Sequence, residues 1–454
     1  MTTPPTLQQQ ASAPRIRVLG RMLPPDAAAA IALAGLLVLL GFATGSGVVE
    51  GSNQHLGTNT WMEILLTFIG AGSLVAVLLW SARGAAHGAL ALLAFAAMTT
   101  LTAVSIAWSV QPDASWTSAN QSVAYLGSFG AAIALARLFP KRWPALCGAL
   151  PLLAVAISAY ALLAKVFPAL PDSESQLGRV TAPLGYWNAI GLVAALGLPG
   201  CLWLGSRPGH PRLLRAATIP AITMLVTTIV LSYSRSADAA AIVSVALLLV
   251  LAPTRLRMAV VLLPGLAAAA ILSARALSSN TLSDNISTAG VLDGNHHALA
   301  ARTAAGHGFG WFMLALLVLT SLAAYALIVK SEQTRLSPLG RRRVAIGLLC
   351  LAACVPLGVI AKLATSQRGL TGEISHVWST LTSENESIGT GPSRITTLAN
   401  SRPRYWHDAL DVGSHHLLLG AGALGFATAR TRYTRYQFPV QTAHSYVLQT
   451  YADL

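Results

Sequence analysis

Charge is what this chain has least of. Only 10% of its 454 residues are Asp, Glu, Lys or Arg, against about 25% in a soluble domain, so most of the chain cannot present an ordinary water-facing surface. Acids are scarcest: 16 Asp and Glu against 30 Lys and Arg leave a formal charge of +14. Cysteine is nearly absent too. Cys147, Cys201, Cys350 and Cys354 all fall in apolar stretches, which excludes a disulfide framework and a CxxC zinc site. They read as small apolar packing residues. No carboxylate or cysteine stands at ligand spacing from His296, His297, His307, His415 and His416, so these read as loop histidines rather than zinc ligands. No metal or cofactor is expected.

What the chain has instead is apolar length: 54% hydrophobic residues and a mean hydropathy of +0.60. Runs near the roughly 17–25 residues that cross a bilayer recur from end to end, at 27–47, 61–80, 87–108, 118–138, 144–166, 188–205, 214–233, 237–252, 258–277, 309–329 and 344–361. The expected fold is all-α, a polytopic transmembrane bundle of about 11–12 spans with a large extracytoplasmic loop containing short helices. Basic residues accumulate in cytoplasmic loops, and they alternate accordingly here. Arg15, Arg17 and Arg21; Arg83; Arg137, Lys141 and Arg142; Arg207, Arg212 and Arg215; Arg255 and Arg257; and Lys330 to Arg343 fall on one side, while 48–60 and 109–117 hold none. The N-terminus is therefore placed in the cytoplasm, and the first apolar run is read as a retained helix. The positive charge reads as topology and contact with anionic lipid, with no nucleic-acid partner.

Residues 1–25, rich in Pro, Gln and Thr, are expected to be disordered. The bundle spans 26–361. Of three long outside segments, 167–187, 278–308 and 362–442, the last is expected to be partly ordered, with helical spacing at Ile374–Leu381, Pro403–His415 and Leu417–Thr428. From Ala443 a new helix is expected, with His444, Val447, Leu448 and Tyr451 on one face; it is too short to span, and 443–454 reads as the start of a further span.

Charges near a span cost on the order of 2.5–3.5 kcal/mol at its centre and are functional candidates by default. On the outer side stand Arg179 in GRVTAPLGYWNAIG, Arg235 in SYSRSAD, Arg402 and Arg404 in SRPRYWHDAL, and His444 in TAHSYVLQTYADL. Guanidinium forks suit phosphate oxygens, and one histidine can take a proton from a hydroxyl. Together they describe glycosyl transfer from a polyprenyl-pyrophosphate sugar. Each residue also has a structural reading: Arg235 paired with Asp238, Arg404 with Asp408, Arg179 and His444 as interfacial side chains. Gly420, Gly422 and Gly425 spell GxGxxG without a βαβ unit and read as glycines for close approach. Glu384 and Glu386 read as a solvated loop.

The Arg179–Gly191 stretch with Asn188, the SYSRSA turn, the Arg402-to-Trp406 spacing followed by LLLGAGALGF, and the AHSYVLQTYADL end resemble, in order, the O-antigen ligase and O-antigen polymerase superfamily of bacterial membrane glycosyltransferases. The resemblance covers about residue 178 onward; earlier spans agree in layout. It implies a metal-free enzyme of the cytoplasmic membrane, working on its outer face. Arg235 and Arg402, with Arg404 and Arg179, would bind the donor pyrophosphate, and His444 would assist a glycan, lipid or protein acceptor. Two positions depart from the family: Ser445 where Asn is usual, and Asp453 where Glu is common. The rival expectations are a transporter or flippase of lipid-linked glycans, and a glycosyltransferase of the cell-shape group that relies on an outer carboxylate such as Asp408.

Overall fold

A computed structural model of the chain describes residues 17–18, 21–22, 25–45, 58–80, 87–168, 178–283, 296–333, 337, 339–340, 342–347, 350, 357–358, 360–361, 365–383, 392–395, 397, 401–434 and 440–454. Apart from a two-rung antiparallel ladder, Arg17–Val18 against Arg21–Met22, the regular structure described is helical. In chain order the principal helices are α1 (Pro25–Gly45), α2 (Thr58–Trp80), α3 (Ala89–Val104), α4 (Pro112–Leu138), α5 (Trp143–Val166), α6 (Trp187–Ser206), α7 (Arg212–Ser232), α8 (Arg235–Leu251), α9 (Arg255–Leu277), α10 (His296–Gln333), α11 (Gly369–Thr382), α12 (Arg402–His415) and α13 (Tyr446–Asp453). Eight helical stretches among the described residues are long and apolar enough to cross a membrane: 25–43, 59–80, 89–107, 143–166, 187–206, 212–232, 255–277 and 300–331. The chain is thus a multi-pass helical membrane protein, with side chains such as Leu78 and Leu39 left exposed on the outer faces of its helices for acyl chains to cover.

Three expected spans are not among the eight. The helix α4 forms but is less apolar, α8 is 17 residues long, and 344–361 lies partly outside the described residues, as do Cys354, Glu384, Glu386 and most of 1–25. The expected 278–308 loop is shorter than read: α10 begins at His296, and Arg302, Gly306, Phe309 and Met313 are buried in a stripe at helical spacing.

Two compact units divide the chain: residues 1–46, 141–279 and 291–330, and residues 47–140, 280–290 and 331–454. In the first, α6 packs on α5, α7, α8 and α9, and α1 lies along α5. The core is small and tight, built from Ala194, Leu198, Leu202, Ile219, Ile222 and Leu225. At one end Trp143 and Trp203 rings approach to 5.8 Å and the Arg207 guanidinium sits 4.6 Å over Trp203, joining the start of α5 to the end of α6. At the other end of α5, Gly306 and Gly310 let α10 come against it: an added Cβ would lie 2.6 Å from Val166 in each case. That is small-residue packing, the means by which membrane helices approach without a hydrophobic driving force.

In the second unit α2 and α3 pack on α4, and the segment 417–425 ties α3 and α4 to the C-terminal helix. Helical spacing misled here, because the segment is a chain of turns with positive φ at Gly420, Gly422 and Leu424. Its backbone is spent on neighbours: Ala421 and Gly422 N–H donate to the carbonyls of Ala452 and Asp453, and Val110 N–H donates to Ala421 C=O. Ala423 N–H donates to Ser105 Oγ at 3.0 Å, and Trp108 Nε1 donates to Leu419 C=O. A Cβ on Gly422 would strike Ser109, at φ +88°. Gly422→Ala is therefore expected to cost about 1–3 kcal/mol of stability and to lower the melting temperature in detergent. Gly35→Ala, on open space within a helix, should leave it unchanged or raised.

Candidate functional site

Each unit presents one cationic cluster. In the first, the strap Gly178–Pro183 is buried against the junction of α7 and α8, where Val180 N–H donates to Leu231 C=O at 3.2 Å. Arg179 is buried and its guanidinium lies 4.6 Å over the Trp187 ring at the start of α6, a cation–π contact that orients the fork. Burial lowers its pKa from the ordinary value, and Tyr233 opposes that shift. The SYSRSA turn is fixed by three features. Tyr233 adopts the left-handed conformation at the end of α7 and is buried; Ser234 Oγ caps α8 by accepting from Ala237 N–H; and α6 closes on the turn at Gly191, where a Cβ would lie 2.7 Å from Ser232 Oγ. Arg235, half-buried, opens α8, with Asp238 in the same first turn. Asn188 donates to the Tyr186 hydroxyl at 2.6 Å.

Two members of this cluster were not singled out from the sequence. Lys165, in the last turn of α5, is buried and donates to Gly178 C=O at 2.8 Å. Arg302, 2% exposed, is one of the largest fully buried side chains described, and it shares Tyr233 as an electrostatic neighbour with Arg179. The signal for Arg302 was present: it lies four residues before Gly306 and seven before Phe309, on the buried stripe of a helix that was read as beginning later. For Lys165 the signal was a cation inside the closing turn of an apolar span.

In the second unit Arg402 and Arg404 occupy the first turn of α12, with Pro403 buried between them. Cations at a helix N-terminus stand against the helix dipole, and unpaired N–H groups there favour an anion. His444 has φ 51° and precedes the Ser445 cap of α13, where Ser445 Oγ accepts from Leu448 N–H. Serine caps a helix as asparagine does, so Ser445 fills this local job. The Tyr405 ring lies 5.5 Å from the His444 ring. His444 remains accessible, yet partial burial first, and the Arg402 guanidinium second, push its imidazole below the ordinary value of 6.5.

The expected C-terminal helix forms from Tyr446, and its buried residues are Ala452 and Asp453. His444 precedes it, and Val447 and Tyr451 are exposed. Asp453 is a clasp: its carboxylate accepts from the N–H groups of Leu424 (3.0 Å) and Phe426 (2.8 Å) and from the Gln449 amide (2.8 Å). Gln449 Oε1 in turn accepts from Ala443 N–H at 2.7 Å, which ties the residue before His444 to the same network.

Asp408 pairs with Arg430 at 2.9 Å, both side chains almost wholly buried. That occupies the carboxylate on which the cell-shape-type rival would rely. His415 stacks on Tyr433 with ring centres 4.5 Å apart, and His307 meets Phe167 edge-on, so neither is merely a loop histidine. Among the described residues no three His, Cys, Asp or Glu side chains group as metal ligands. Comparison of the chain with family models, curated proteins and solved structures finds no match.

Breaking a buried ion pair strands a charge and costs about 3–5 kcal/mol, whereas replacing both partners with apolar groups is often tolerated. Asp408→Asn should therefore abolish stable folded protein on size exclusion, and Asp408→Leu combined with Arg430→Met should recover it.

Proposed function

We propose that this chain is a membrane glycosyltransferase of the O-antigen ligase and polymerase type. It moves a glycan from a polyprenyl-pyrophosphate carrier to a saccharide, lipid-anchored or protein acceptor on the outer face of a bacterial cytoplasmic membrane, the N-terminus being cytoplasmic. The observation that carries this reading is the placement of Arg402, in the first turn of α12, where its charge acts on the accessible imidazole of His444. The order of motifs from Arg179 to Asp453 and the buried arginines of the first unit support it.

In this reading the acceptor hydroxyl oxygen attacks the anomeric carbon of the donor sugar and its proton passes to the free ring nitrogen of His444. The bond from that carbon to the pyrophosphate oxygen breaks, its electron pair leaves with the oxygen, and polyprenyl pyrophosphate departs. Because the displacement is single, the anomeric configuration inverts. Arg235 and Arg402, assisted by Arg404 and Arg179, act on the departing pyrophosphate, where negative charge develops and fixed donors contribute most. A base must be neutral before it accepts a proton. The lowered pKa of His444 keeps it neutral further into the acid range than an ordinary histidine.

Arg235→Ala and Arg402→Ala should each lower transfer by at least about a hundredfold, with insertion and folding intact, in a membrane assay using lipid-linked glycan. Near-normal activity in both would remove the pyrophosphate assignment. The sign of the pH effect is fixed. Activity falls as pH drops through the His444 pKa, so the acid limb of kcat/KM should lie below the usual histidine range. Arg402→Gln removes a cause of the depression and should move that limb to higher pH.

A further inference from the structure

Between α12 and the turns that Asp453 gathers stand three consecutive leucines, Leu417, Leu418 and Leu419, which are 74%, 91% and 53% exposed. A lone exposed leucine is ordinary, whereas a run of three on a surface points to something that covers it. The backbone gives the run no way to fold inward. His416 C=O accepts from Gly420 N–H across it, and each backbone N–H from Ala421 to Phe426 also has an acceptor: the carbonyls of Ala452, Asp453 and Gly422, Ser105 Oγ, and the Asp453 carboxylate. The leucines are thus held outward on a turn whose continuation is fixed.

The end of α3 says where they are held. That helix lies in one of the stretches apolar enough to cross a membrane, and its exposed Leu90, Leu93, Leu101 and Val104 share one helical face, the face that acyl chains cover. Trp108, four residues past Val104, donates from Nε1 to Leu419 C=O, and Val110 N–H donates to Ala421 C=O. The leucine run therefore continues the lipid-facing surface of α3 at its end. Trp116, exposed near the start of α4, follows Ser115, whose hydroxyl donates to Ala423 C=O at 2.7 Å. Tryptophans gather at the boundary between headgroups and acyl chains.

We propose that Leu417–Leu419 is a membrane wedge, inserted among the acyl chains of the leaflet in which α3 ends. The run is uncharged, and the next charged residue along the chain is Arg430. Ser414 and His415, exposed just before it, put the change from polar to apolar surface at His416. Non-helical backbone is tolerated at membrane depth where its polar groups are satisfied by protein, and the amides that follow the leucines meet that condition. A wedge of this kind reaches about 5–10 Å below the headgroups. It ties to the bilayer the same turns that Asp453 ties to α13. The inference rests on the membrane-spanning character of α3 and not on the reaction proposed above.

The experiment uses the full wild-type chain in vesicles of phosphatidylcholine and phosphatidylglycerol, doped with a phospholipid that carries a photoactivatable diazirine in the upper part of one acyl chain. After irradiation, mass spectrometry of the peptides should find lipid adducts on Leu417–Leu419 as well as on Leu101 and Val104. Adducts on α3 with none on the leucine run would overturn the proposal. The same absence in a chain that runs as a dimer on size exclusion would assign the leucines to a second copy and overturn it equally. Leu418→Asp should cut labelling of the run at least about tenfold, since a carboxylate is strongly disfavoured among acyl chains, and leave Leu101 and Val104 unchanged. Leu418→Gln, which adds no charge, should lower it in the same direction. Undiminished labelling in the folded forms of both variants would show a depth indifferent to the leucines, and the wedge would be lost.

Discussion

A guanidinium keeps its proton wherever the fold puts it, so every arginine buried in this protein obliges its surroundings to answer a positive charge. The two units answer differently. Arg430 is met by a carboxylate, Asp408, at 2.9 Å in a dry site, and the pair is closed to any ligand. Arg179 is met by an aromatic face, the Trp187 ring 4.6 Å from its guanidinium, and it shares the strap's surroundings with Lys165 and Arg302. Closed pairs of the first kind hold a fold together.

The same economy governs the second unit. A histidine placed just before a short helix would wander unless the helix were anchored, and the anchor is Asp453. One carboxylate gathers two backbone N–H groups of the glycine-containing turns and one side-chain amide. Those turns in turn bond to Ser105 and Ser115 at the junction of α3 and α4. His444 thus inherits its position from the membrane-embedded helices through a chain of hydrogen bonds. Arg402 reaches the same place through α12, which packs on α13. The buried acid at 453 holds Gln449, which in turn holds Ala443, the residue before the histidine.

Much of this was legible in the sequence, because the strongest signals were physical. Long apolar runs give helices wherever water is excluded, and the boundaries of α5, α6, α7 and α9 fall within about three residues of the apolar runs. The candidates that are not buried, Arg235, Arg402 and His444, announced themselves as basic residues next to apolar helices. What stayed hidden depended on burial between distant segments. Arg302 sits in a polar-looking run whose helix lies on α5, where Gly306 and Gly310 allow α10 onto Val166. Leu417–Thr428 has helical spacing, but Gly420, Gly422 and Leu424 take positive φ and its carbonyls and amides are claimed by Ser105, Val110 and Asp453. The partner of Asp408 was sought one turn away, at Arg404, and lies 22 residues on, at Arg430.

The proposed transferase breaks a bond in its donor, whereas a transporter would carry the intact donor across the bilayer. Purified protein reconstituted in vesicles with a fluorescent polyprenyl-pyrophosphate glycan and an acceptor distinguishes the two directly. The account requires a new glycosidic product together with released polyprenyl pyrophosphate, both lost in His444→Ala. Movement of intact donor between leaflets with no product formed would contradict it.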